Sequence, residues 1–147
     1  MIYAVIDTNV FVSALLSRHP DSATVQVVSA ISENGILPLY NQEIIDEYWN
    51  VLHREKFHFP SEAVDSMIST IQKIGLSTDR IASNESFSDP KDVVFYEVAL
   101  SKKNAFLITG NTKHFPKTSI VVTPAEMLDI LQNASTNQEC VKTLNHE

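Results

Sequence analysis

The stretch from Ile2 to Ile6, IYAVI, is apolar at every position, rich in β-formers, and stops at Asp7. A strand with no polar alternation is covered on both faces, the condition of an inner strand in a parallel sheet. Parallel neighbours cannot be joined by a tight turn, so the chain must return through crossovers, most readily helices.

The sequence supplies them. Residues 10–16 and 21–31 (DSATVQVVSAI) carry helical patterning, with Asp21 or Ser22 as the second N-cap. Gly35 stops that helix, and ILPLY is a short strand. Asn41 then opens a strongly periodic helix, NQEIIDEYWNVLHREKF; Pro60 and Ser61 open the next, and Gly75 closes it. LSTDRIA reads as a third, edge strand, SDPKDVVFYEVALSKK as a helix, AFLIT and SIVVT as strands, and PAEMLDILQ as a closing helix. The alternation predicts one α/β domain over residues 1–133 with a mainly parallel, about five-stranded sheet. From 134 to 147 the chain is polar and aperiodic, and a loosely ordered tail is expected.

Composition removes several classes of function. With only three glycines, no G-x-G-x-x-G and no P-loop can be written. The single cysteine, Cys140, makes no intrachain disulfide, and no apolar run is long enough to cross a bilayer. There is no basic leader with a cleavage site, so a cytoplasmic location and no membrane partner are expected. The net charge of −7 argues against broad electrostatic capture of nucleic acid, yet it does not exclude a nuclease that meets phosphate through carboxylate-bound metal. The basic residues cluster in two places, at His53, Arg54, Lys56 and His58 and at Lys113, His114 and Lys117.

Why an acid ends a buried strand is the sharper question, since a carboxylate beside a core must be bonded, paired or holding a cation. Asp7 lies where open α/β sheets bind ligands, but Asp7, Thr8 or Asn9 would equally cap the following helix. In SDPKD, Asp89 is a natural N-cap and Pro90 fits the first helical position. Asp92 shares a face with Phe95, Tyr96 and Ala99 and so points inward. On the long helix Ile44, Tyr48, Val51 and Leu52 mark a buried stripe; Glu47 borders it, Glu43 lies further round, and Asp46 is nearly opposite. LITGN places Thr109, Gly110 and Asn111 at another strand end, where turn chemistry is an equal explanation. Carboxylates without a histidine or cysteine cluster suit Mg2+ or Mn2+ rather than zinc.

With these residues in hand, the chain resembles PIN-domain proteins, in particular the toxin components of toxin–antitoxin pairs. The resemblance spans roughly residues 1–131 and rests on VIDTNVFVSALL, EIIDEYWNVLHREKF, SDPKDVVFYEVAL and FLITGNTKHFP followed by VVTPAEML, in that order. It implies a three-layer α/β/α sandwich and metal-dependent cleavage of RNA. Asp7, Glu47 and Asp92 match the family's metal ligands; Asn111 would orient water or a bridging ligand, and Asn9 and Thr109 would brace the carboxylates. A homodimer and a cognate antitoxin protein are the implied partners besides RNA. One departure stands out: where the family often carries a fourth acid, this chain has Asn111 and His114. A non-catalytic RNA- or partner-binding module is the rival reading, and an Asp7-based phosphotransfer protein a weaker one, since Asn9 stands where a second acid is wanted.

Overall fold

The computed structural model describes residues 1–33 and 35–145, with side chains described to residue 134. Among the described residues there are five strands and six α-helices. The strands are β1 (Ile2–Ile6), β2 (Ile36–Tyr40), β3 (Leu76–Ser77), β4 (Phe106–Ile108) and β5 (Val121–Val122). They form one sheet in the order β3-β2-β1-β4-β5, every pairing parallel, which is the α/β architecture read from the strand and helix alternation. The helices are α1 (Thr8–Leu16), α2 (Ala23–Ser32), α3 (Gln42–Leu52), α4 (Ser61–Ile74), α5 (Pro90–Ala99) and α6 (Pro124–Asn145). The closing helix expected over 124–132 continues as α6 to Asn145, through most of the stretch expected to be a loosely ordered tail; side chains from 135 onward lie outside the described ones.

The first strand is central, as its composition requires: Ala4, Val5 and Ile6 are fully buried. The chain builds outward from β1 to β2 and β3, then reverses and adds β4 and β5 on the other side. The reversal creates a switch point between β1 and β4, where the connections diverge and leave a crevice beyond the carboxyl ends of the strands. Tyr48 of α3 organises the packing beneath that crevice. Its ring meets Phe11 of α1 edge-on at 5.0 Å and Phe95 of α5 at 6.2 Å, and its hydroxyl donates to the Ile6 carbonyl at 2.5 Å. One side chain thus sets three helices against the end of β1.

Several element boundaries differ from the sequence expectation. The third strand is an edge strand but only two residues long, because the chain from Arg80 onward is drawn to Glu97 of α5 instead of continuing along β2. The helix opened by Asn41 ends at Leu52, and Glu55–Phe57 forms a separate 310 turn. His53 accounts for the stop: its backbone N–H and its ring Nδ1 both engage the Trp49 carbonyl, at 3.2 and 2.8 Å. On α3 the buried set is Ile44, Ile45, Tyr48 and Leu52, with Val51 only half-buried. Helix α5 ends at Ala99, short of the expected 103. Gly75 does more than end α4, since a Cβ there would stand 2.5 Å from the Ile71 carbonyl oxygen and 2.6 Å from that of Pro38.

Candidate active site

Asp7 is the residue immediately beyond β1, and Thr109 the residue immediately beyond β4. The parallel register pairs Ile6 with Ile108, so the two following residues are brought side by side at the switch point. The fully buried Thr109 hydroxyl donates to Asp7 Oδ2 at 2.8 Å. Asn9 Nδ2 donates to the same oxygen at 3.2 Å, while its Oδ1 accepts from the Gly110 amide at 3.1 Å. Asn9 therefore ties the start of α1 to the turn after β4. Asp7 occupies the N-cap position of α1 but makes no side-chain capping bond, so capping does not explain its identity.

Burial sets the electrostatics. Only 9% of Asp7 is exposed, and its carboxyl is pushed up to about 6. Desolvation is the main cause, and the nearby charge of Asp92 adds to it; the Thr109 hydroxyl, the Thr8 amide and His114 pull the other way. Asp92 is likewise raised, by burial first and then by Asp89 and Glu47, with His114 opposing. Asp89 caps α5 by accepting from the Lys91 amide at 3.0 Å, which leaves Asp92 free of that task. One oxygen of Asp92, Oδ2, is buried and accepts no hydrogen bond; His114 Nδ1 lies 3.7 Å from it.

Glu47 is half-exposed on α3 and shares a cleft of about 240 Å³ with Glu43, Lys91 and Val94, while Asp46 is fully on the solvent side. Asp46 is occupied with Gln42, whose Nε2 donates to it at 2.8 Å. Glu43 is held by Arg80, at 2.9 and 3.1 Å. Asn111 places its amide 3.0 Å from His114 Nε2, and its backbone N–H donates to Thr109. The arrangement joins Asp7, Asn9, Thr109, Asn111, His114 and Asp92 into one neighbourhood, with Glu47 acting on it through Asp92.

The donor chemistry fits a hard divalent cation: the three acids offer only oxygen, one of them bare and buried. As a trio they stand apart, and among the described residues no group of three or more His, Cys, Asp or Glu is gathered closely enough to hold a metal. Two neighbours of the site escaped the sequence reading. In the sequence His114 stands in a basic cluster and at the place of a fourth acid; its contact with Asp92 depends on the 310 turn Thr112–His114. The partnership of Arg80 with Glu97 also went unread, although a glutamate inside the apolar run VVFYEVAL was a visible signal. Glu97 is buried and titrates below its ordinary value: burial works against its charge, and the Ser83 amide and Arg80 outweigh it.

A family model described as PIN domain matches residues 3–113, a span that contains Asp7, Asn9, Glu47, Asp92, Thr109 and Asn111. No curated protein and no solved structure matches the chain. Among the described residues no helix is long and apolar enough to cross a membrane.

Proposed function

This chain belongs to the PIN-domain family, whose members are typically nucleases, and from that premise we propose that it is a metal-dependent ribonuclease, the toxin component of a toxin–antitoxin pair. The observation that carries the reading is the pair of acids at the switch point. Asp92 adds to the cost of ionising Asp7, Asp89 and Glu47 add to that of Asp92, and among the described residues no lysine or arginine pairs with either. A divalent cation is the partner their chemistry asks for. Asp7, Glu47 and Asp92 are the residues to hold Mg2+ or Mn2+. When bound, the ion lowers the pKa of water and offsets charge on the phosphate.

The remaining residues act through position. Thr109 and Asn9 leave Asp7 Oδ2 twice hydrogen-bonded, which fixes the carboxylate plane and directs its other oxygen. Asn111 presents its amide beside Asp92 through His114, where it orients water or the scissile phosphate. The toxin role, a cognate antitoxin and a homodimer are proposed from the resemblance of the four sequence blocks, and a cytoplasmic site of action from the composition. A second reading, a non-catalytic RNA- or partner-binding module, is favoured by one observation, that the three acids are not gathered as a metal-holding trio.

Incubating the purified protein with single-stranded RNA and magnesium separates the two. Cleavage should require magnesium and disappear in Asp7→Asn and Glu47→Gln, while Asp46→Asn should cleave as the parent does. Cleavage that survives Asp7→Asn removes the assignment; RNA binding without cleavage by the parent favours the non-catalytic module.

A further inference from the structure

The 310 turn Thr112–His114, which carries His114 to the candidate site, also lines a groove of about 460 Å³ through Thr112 and Lys113. Its walls include Thr112, Lys113, Phe115, Lys117, Thr118 and Val121. One turn serves both: His114 lies 3.7 Å from Asp92, while Lys113, the residue before it, lines the groove. In a chain of net charge −7, where the lysines go matters. Lys102 lies over the Tyr3 ring, Lys56 over Phe57, and Arg80 is committed to Glu43 and Glu97. Lys113 and Lys117 are exposed and make no ion pair among the described residues.

The groove's one carboxylate, Glu126, already accepts the Thr123 amide at 3.1 Å. In the cleft between α3 and α5, Lys91 shares the lining with two acids, Glu43 and Glu47. Two exposed cations without an ion pair, two threonine hydroxyls and an apolar floor therefore lie beside the turn that carries His114. We infer that the groove lined by Lys113 and Lys117 is the track for the RNA backbone beside the scissile phosphate, each lysine meeting one phosphate. This inference rests on the reading of the protein as a ribonuclease and adds the direction in which its substrate leaves the site.

The test is the salt dependence of RNA binding. A fluorescein-labelled single-stranded RNA is titrated with Asp7→Asn protein in EDTA at several potassium chloride concentrations. The same is done for that protein carrying Lys113→Gln and Lys117→Gln, and for a control carrying Lys103→Gln. Lys103 lines a pocket with Met1 and Ile2, at the opposite ends of the strands. Each phosphate contact on a single strand contributes about 0.7 to the slope of log affinity against log salt, so the double substitution should flatten it by about 1.4. The Lys103→Gln slope should match the parent's. A slope unchanged by the double substitution, or changed as much by Lys103→Gln, overturns the track, as does an absence of RNA binding. Cleavage of the same RNA by the wild-type chain in magnesium is measured separately. Cleavage with an unchanged slope removes only the track; a flattened slope without cleavage removes only the catalytic reading.

Discussion

Asp7 makes a cost visible at the scale of one residue. Its folded-state pKa of about 6 lies above the ordinary value of 3.8, so between those values the folded chain keeps a proton that the unfolded chain has released. Stability without metal should then fall as pH rises through that window and stay low above it. A shift of about two units corresponds to roughly 3 kcal/mol as an upper figure, taking about 1.4 kcal/mol per unit. Asp7→Asn has nothing to titrate, so its stability should be flatter across this range and exceed the parent's at pH 7.5. Urea unfolding at pH 4.5 and pH 7.5 checks this in both proteins. An equal fall in the variant would place the pH dependence elsewhere.

At the scale of elements, the segment after β3 is strapped to two helices by Arg80. Its guanidinium bonds Glu97 on α5 at 2.7 and 2.9 Å and Glu43 on α3 at 2.9 and 3.1 Å. The Ser83 amide also donates to Glu97, at 2.7 Å. The two limbs differ because the Glu97 side chain is 10% exposed and that of Glu43 57%. Removing the cation strands a buried carboxylate, whereas the outer limb is a screened surface pair. Arg80→Gln should therefore cost about 3 kcal/mol, and Glu43→Gln less than about 1 kcal/mol. Thermal or urea unfolding of the two variants at pH 7 decides; equal losses would mean that the Glu97 limb carries no special weight. This strap also explains why the edge strand is short, since residues bonded to α5 cannot extend along β2.

The whole molecule, with a net charge of −7, carries the site proposed to hold a cation. Anything that binds only the folded chain stabilises it, by about 2.7 kcal/mol at one hundred times its dissociation constant. Magnesium should raise the Tm of the wild-type chain more at pH 7.5 than at pH 5, where Asp7 holds a proton and competes with metal. Asp7→Asn should lose most of that increase. A magnesium-induced shift that is the same in Asp7→Asn, or the same at both pH values, would put the ion at another place on the surface.

By itself the sequence determined the order of strands and helices, the burial of β1 and the class of fold, because these follow from local periodicity and capping residues. IYAVI demands cover on both faces, Asn41 and Asp89 cap the helices they precede, and Gly75 stands where no Cβ fits. The inward bearing of Asp92 and the outward bearing of Asp46 were legible for the same reason, since helix geometry is a property of spacing. Tertiary structure decided the partners. Asp7 and Thr109 are 102 positions apart, and only the β1–β4 register brings hydroxyl to carboxylate. Arg80 reaches Glu43 across 37 positions, and His114 meets Asp92 only through the turn that follows β4. A periodic pattern reports that a side chain is covered and is silent about what covers it. Identity of the partner depends on strand order and helix placement, which are set by the packing of the whole core rather than by any one stretch of chain.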